Sequence, residues 1–515
     1  VLGAFALLSI LFTGLFPPFS NPNELSRFEA IYAVVEKGTF AIDEPIRLFG
    51  DHEDKAVSGS HFYSNKAPGL AFAAIPVYRA LRFFFPRPGS PVDPVFVWTR
   101  FLTVSLISLS ALAALLRRLR PSREGPLVVF ALVFGTPFLF YGRSFFSHAW
   151  TASLLFLAWE LLRRREEEPP RGGSLAEAAA GFLAGWAAIS EYTAAPLAVL
   201  LAFRVARRGS GMRLFLFGAG AAIPLLLLLL YDATCFGSPW VLSSAREASP
   251  DYARLSREGL FGFGPPSLHI AGHYFVHRAR GILLRSPFWL WLVPGFLAWW
   301  RSKKDRADCV FTLVSIAGFF LLLTGYDNWH GGWSLGNRYL LPVIFFGAPA
   351  LARAVESPLS RGLFILAVVF SAVSHFLLTS SFPHFPSDVR FPVGNASLWF
   401  LRRGWFAPSV VPAPGWIVFL LAFLLVAAAG VLALRAARPA VPAAPIAAAA
   451  ALLLLAASVA VSPELPYGAK LWRAGMYASL SGLDPDRKEL KKVMPSAASP
   501  SERSQAIGAW RVYGR

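Results

Sequence analysis

Residues 214–231 read LFLFGAGAAIPLLLLLLY, eighteen positions without a charge, and Ala443–Ala460 is nearly all alanine and leucine. A run of about 20 apolar residues is what an α-helix needs to cross the hydrocarbon region of a bilayer. Inside lipid each backbone group must be bonded within its own segment, so these runs read as transmembrane helices. Comparable runs fall at 1–17, 95–116, 126–142, 146–162, 175–190, 192–205, 286–300, 308–324, 339–355, 361–379 and 414–434. With the two quoted stretches (the second read as 441–461) they predict an all-α, polytopic membrane protein of about thirteen spans. The short alternating segments of a membrane β-barrel are not seen. Residues 1–19 lack a charged leader and an A-x-A cleavage site, and read as a retained first helix.

Composition agrees. Of 515 residues, 55% are hydrophobic and 15% charged, against about 25% charged in soluble domains. Mean hydropathy is +0.51. The net charge of +19 would point to nucleic acid in a soluble protein. Here topology accounts for most of it. Alternate short loops carry Arg117, Arg118, Arg120 and Arg123; then Arg163, Arg164, Arg165 and Arg171; then Arg204, Arg207, Arg208 and Arg213. The series continues with Arg301, Lys303, Lys304 and Arg306, with Arg353 and Arg361, and with Arg435 and Arg438. Lys and Arg beside helix ends mark the cytoplasmic side. The N-terminus is then expected in the cytoplasm and the C-terminus outside a cell (inner) membrane, with no nucleic-acid partner. Cys235 and Cys309 fall near opposite faces, so no bridge is expected.

The other loops are longer and differ in kind. They span about 18–94, 232–285, 325–338 and 380–413, and are rich in aromatics, His and spaced charges. They are expected to fold together as the outer part of one domain, 1–461, followed by an extracytoplasmic tail, 462–515. Residues 67–85 are apolar but broken by Pro76, Arg79 and Arg82, and read as an interfacial helix.

The first loop opens Asn21-Pro22-Asn23-Glu24-Leu25-Ser26-Arg27. Glu24 and Arg27 share a face of any helix that starts here. They read either as a capped first turn, with Asn23 as cap, or as a general base with a guiding cation. Downstream, Asp51 and Asp54 flank Glu53 in a charged turn, and His61 and Tyr63 precede Lys66. Lys66 stands where the chain turns apolar, so its ammonium lies at headgroup level. There it either meets a lipid phosphate or snorkels. In the fourth loop, Asp327, Trp329, His330, the pair Gly331-Gly332, Trp333 and Arg338 exceed what an aromatic belt requires. They provide a wall and a cation for a sugar or phosphate. Asp327 and His330 are also a candidate pair for a divalent metal, although tetrahedral sites want three or four ligands. No other cofactor is implied. Arg278, Arg280 and Arg285 break the positive-inside trend on the outer face, as an anionic ligand or lipid headgroups would explain. His148 and Glu191 sit near outer helix ends.

These motifs together resemble a known group. NPNELSR at 21–27, HFYSNKAPGLAFAAIPVY at 61–78, FGSPW at 236–240, RGILLRSP at 280–287 and WHGGWSLGNRYLLP at 329–342 are similar to the bacterial GT-C membrane glycosyltransferases. That group includes protein O-mannosyltransferases and the lipid A aminoarabinose transferase. The resemblance covers about residues 1–345. It implies an inverting transfer of a sugar from a polyprenyl-phosphate carrier to a lipid, glycan or protein acceptor on the outer face. It places the catalytic base in Asn23-Glu24. Many members have Asp-Glu there, so Glu24 is the acid that remains. It implies carrier-phosphate contacts for Lys66 and Arg338, and Arg280 is a further candidate cation. A lipid-linked sugar transporter or flippase, and a surface polysaccharide ligase or polymerase, are the competing readings. A transporter would place charged groups at mid-membrane depth on broken helices, whereas here the ionisable residues gather in the outer loops.

Overall fold

The computed structural model describes residues 1–12, 21–90, 92–167, 175–208, 211–257, 259, 262–303, 305–355, 357–386, 389–437 and 443–460, with Arg473 and Met476. The tail 462–515 otherwise lies outside the described residues, as do Arg171, Lys304 and Arg438. The protein is a helical, multi-spanning membrane protein. Helices Pro94–Arg118, Gly211–Phe236, Arg306–Leu323, Pro358–Thr379 and Gly415–Ala437 are long and apolar enough to cross a bilayer. Leu2–Leu11, Gly69–Leu81, Gly125–Phe134 and Leu175–Ser190 are shorter apolar helices. Leu226, Leu230, Leu424 and Leu432 are exposed along their helices, as a lipid-facing surface requires.

Among the described residues helix runs through the segments expected to span, the first over Leu2–Leu11 only, and several segments are not single α-helices. Residues 126–142 form two helices, Gly125–Phe134 and Phe138–Tyr141. Pro137 disfavours helical backbone at Thr136 and ends the first. Residues 339–355 split into the 3-10 turn Arg338–Val343, which contains Pro342, and the helix Ala348–Ala354. The segment at 286–300 starts as the 3-10 turn Pro287–Trp291.

Small residues set the tightest helix contact. A Cβ on Gly181 would lie 1.9 Å from Phe217 O, and one on Gly220 would lie 1.9 Å from Ala178 O. The helices Leu175–Ser190 and Gly211–Phe236 therefore touch backbone to backbone, the usual solution where lipid offers no hydrophobic drive. At the end of the bundle expected in the cytoplasm, basic residues pair with acids. Arg118 reaches Asp308 at 3.2 Å and Glu160 at 3.5 Å, and Arg204 reaches Asp308 at 2.5 Å. Arg213 pairs with Glu177 at 2.6 Å, and Arg361 with Glu124 at 2.6 Å. Cys235 and Cys309 are both free and buried.

The first long loop folds into elements of its own. Asn21 caps the helix Pro22–Tyr32: its side chain accepts from Asn23 N at 3.0 Å, and Pro22 takes the first helical position. The cap is thus Asn21, not the expected Asn23. Lys55–Ser58 pairs antiparallel with His61–Ser64, Ser58 opposite His61, through a turn at Gly59, φ +60. The helix Gly69–Leu81 follows, carrying Pro76 within it and burying Gly69, Leu70, Ala71, Ala74 and Tyr78.

Candidate active site

The long loops enclose an open cavity of about 390 Å³. Five stretches of chain build it: the start of the Pro22–Tyr32 helix, the hairpin flanks, residues 247–256, the loop 326–339 and Pro386. Lys66 and Arg338 both line it, with Asp54, Glu247, His330 and Trp333.

Lys66 Nζ lies 2.9 Å from Asp54 Oδ1. Burial alone would raise the Asp54 carboxyl. The Lys66 ammonium beside it outweighs that and holds it below the usual range. Across the hairpin, Asn65 Nδ2 donates to Glu247 Oε2 at 2.7 Å. Burial pushes the Glu247 carboxyl up to about 7, against the pull of Lys66.

Glycine shapes the loop that carries Arg338. Gly331, Gly332 and Gly336 all sit in left-handed backbone, at φ +64, +64 and +58. A Cβ on Gly331 would meet Arg338 Nε at 3.0 Å and the Tyr339 ring at 3.1 Å. The guanidinium passes over that bare backbone. It rests 5.3 Å from the ring centres of both Phe146 and Tyr339. Cation–π contact with two rings, together with a hydrogen bond to Tyr339, fixes the position of the guanidinium.

Arg280 is elsewhere. Its guanidinium is buried behind the loop and donates to Ser334 Oγ at 2.8 Å, Gly332 O at 2.7 Å and Phe385 O at 3.0 Å. It braces the backbone that carries Arg338 and lines not this cavity but a neighbouring one of about 350 Å³, so Lys66 and Arg280 do not share a cavity.

Glu24 also turns away from the cavity. It is 1% exposed, and its Oε1 accepts from Phe145 N at 2.6 Å. Burial pushes its carboxyl up to about 7, although the Phe145 bond and the charges of Arg100 and Arg27 pull the other way. Its neighbour Asn23 is the residue that faces the cavity. The expectation that Glu24 faces an acceptor is therefore corrected. Arg27 acts on Glu24 through its charge and spends its hydrogen bonds elsewhere. It donates to Asn23 O at 2.7 Å, to Asn23 Oδ1 and to Ser147 Oγ at 3.1 Å. Ser147 Oγ in turn donates to Glu191 Oε2 at 2.7 Å, and Glu191 pairs with His148 at 3.0 Å. The His148 ring meets Tyr339 edge-on at 5.3 Å. This chain of contacts ties the helix Pro22–Tyr32 to the Arg338 loop. It also drives Glu191 down to about 2: burial opposes that, but His148, Ser147 and Arg27 outweigh it.

The remaining candidates divide. His330 and Trp333 line the cavity; burial, then Arg280 and Arg338, push the His330 imidazole down to about 4. Asp51 pairs with Lys55, His61 pairs with Asp43 at 3.2 Å, and the Tyr63 ring packs on Phe236 at 5.6 Å. Asp327 is exposed, outside the lining. Among the described residues no group of three or more His, Cys, Asp or Glu is placed to hold a metal ion, so Asp327 and His330 find no third ligand. Sequence reasoning missed Glu247, Asn65 and the cavity-facing side chain of Asn23. Nothing near Glu247 in the sequence marks it. It reaches the cavity by strand-like pairing with Ala56.

The fold and the cavity define a multi-spanning membrane protein with two cations and several acids in one pocket built by its loops. Among solved structures the chain is similar to the crystal structure of ArnT from Cupriavidus metallidurans bound to undecaprenyl phosphate. Identity is 14% and the TM-score 0.49, over 99% of this chain and 87% of that one. No family model matches the chain, and no curated protein does.

Proposed function

We propose that the protein is an inverting glycosyltransferase that moves a sugar from a polyprenyl-phosphate carrier to an acceptor at the extracytoplasmic face. The observation that carries this reading is the meeting of Lys66 and Arg338 in one cavity with carboxylates and aromatic rings. Transfer from a lipid phosphate accumulates negative charge on the departing phosphate oxygen. Cations fixed at that point stabilise the transition state more than the ground state. Lys66 supplies a compact ammonium, and Arg338 a planar fork held by two rings. Trp333, Tyr326 and Tyr339 line the same cavity and supply aromatic contacts for a sugar. An inverting displacement needs one base and no second carboxylate nucleophile, unlike the paired acids of retaining glycosidases.

In this reading Glu24 and Arg27 position the start of the first outer helix, through Phe145, Asn23 and Ser147. The cytoplasmic side is the end laced by the Arg118, Arg204 and Arg361 ion pairs, so the N-terminus is cytoplasmic. The reading is tested with the full chain in lipid vesicles and a panel of polyprenyl phosphates bearing a hexose or a pentose. Transfer that disappears in Lys66→Ala and Arg338→Ala supports it. Transfer that survives both substitutions refutes it.

A further inference from the structure

Resting on that reading, we infer that Glu247 is the general base that takes the proton from the acceptor hydroxyl. The reaction needs a carboxylate that faces the cavity, is not already neutralised by a cation, and is held rigidly. Glu24 fails the first condition, because its carboxylate is turned onto Phe145 N. Asp54 fails the second, because Lys66 is its partner at 2.9 Å.

Glu247 meets all three. It lines the cavity. Its backbone forms an antiparallel bridge with Ala56, and Ala248 N donates to Lys55 O at 2.8 Å. The segment is thereby pinned onto the hairpin whose flanks hold Asp54 and Lys66. Asn65 Nδ2 holds Oε2 at 2.7 Å, which leaves Oε1 without a protein partner among the described residues. Ser243 Oγ in turn donates to Asn65 O at 3.0 Å, so the Asn65 support is itself anchored. The charged groups felt by Glu247 are Lys66 and Asp54. A base with a pKa near the working pH combines the correct protonation state with useful proton affinity. Burial sets the Glu247 carboxyl in that range, at about 7.

The step balances as follows. Glu247 Oε1 accepts the acceptor's hydroxyl proton as that oxygen forms a bond to the anomeric carbon. The bond from that carbon to the carrier phosphate oxygen breaks, and its electron pair leaves with the phosphate. Lys66 and Arg338 stabilise that phosphate. The proton returns to solvent from Glu247 after product departs.

The test uses the full chain in vesicles, a glycosyl polyprenyl phosphate donor, and two nucleophiles: an alcohol acceptor and azide. Azide carries no proton to remove. In Glu247→Gln, transfer to the alcohol should fall by about 100-fold or more, while glycosyl azide formation and binding of unglycosylated polyprenyl phosphate stay near wild type. Equal losses with both nucleophiles would show a structural role and overturn the inference. So would undiminished transfer to the alcohol. A second variant guards against misfolding: Glu247→Asp should retain transfer but move the acidic limb of the kcat/KM profile, and an unmoved limb overturns the inference. Transfer lost in Lys66→Ala but intact in Glu247→Gln would remove the base assignment alone. No transfer by wild type with any donor would remove the glycosyltransferase reading and this assignment with it.

Discussion

Lys66 Nζ sits 2.9 Å from Asp54 Oδ1, so a cation facing the cavity already carries its own counter-ion. A phosphate arriving at Lys66 meets the Asp54 carboxylate as well. Asp54→Asn should therefore tighten binding of unglycosylated polyprenyl phosphate several-fold, because it removes the repulsion and leaves the ammonium. Lys66→Ala should weaken the same binding by about tenfold or more. Titration of the reconstituted protein with the lipid measures both, and a weaker Asp54→Asn would show that the pair acts as a unit.

Arg338 and Arg280 should separate cleanly. Arg338 lies over the rings of Phe146 and Tyr339, whereas Arg280 spends its donors on Gly332 O, Phe385 O and Ser334. Arg338→Lys keeps the charge but loses the planar face, so carrier-phosphate affinity should fall by roughly tenfold with little change in melting temperature. Arg280→Ala should lower the melting temperature first, since it leaves buried carbonyls unsatisfied. Thermal unfolding in detergent alongside the binding titration tells the two apart.

Gly331→Ala addresses the same cation without touching it. At φ +64 an L side chain is strained, and its Cβ would press on Arg338 Nε at 3.0 Å. Phosphate affinity should fall towards that of Arg338→Lys. Gly404→Ala, also in left-handed backbone at φ +76 but with open space around its Cβ, should leave it unchanged.

Glu24→Gln tests burial against catalysis. The folded Glu24 carboxyl lies at about 7, above its ordinary value, with burial as the main cause. A raised carboxyl stabilises the fold below the ordinary carboxylate pKa, and that contribution is lost as pH rises through about 7. Wild type should thus lose melting temperature between pH 5 and pH 8, and Glu24→Gln should flatten that loss. Gln still accepts from Phe145 N, so turnover should stay within about tenfold of wild type. A fall of about 100-fold or more with intact folding would restore Glu24 as the base.

Much of the architecture was legible because lipid leaves the backbone few options. The uncharged run 214–231 lies within one helix, and the basic clusters of Arg118, Arg163 and Arg204 meet in one ion-pair network through Glu160 and Asp308. What hydropathy did not reveal was where proline breaks a run, as at Pro137 and Pro342. In the site, Lys66 and Arg338 announced themselves by standing at apolar boundaries in aromatic, glycine-bearing loops. Arg280 carried the same signal and proved to be a brace, because sequence does not show which carbonyls a guanidinium meets. Glu24 and Asn23 are adjacent on one helical turn, so a rotation of about 100° decides which faces the cavity. Glu247 was invisible for a different reason. Its place depends on pairing with Ala56, a contact between distant segments that no local pattern encodes.

The most direct measurement is the rate of sugar transfer from a glycosyl polyprenyl phosphate by the reconstituted full chain, compared with the Lys66→Ala/Arg338→Ala double variant at equal folded concentration. Wild type should transfer with inversion at the anomeric carbon, and the double variant should be slower by about 100-fold or more. Transfer by the double variant at the wild-type rate, or a product with retained configuration, would contradict the account.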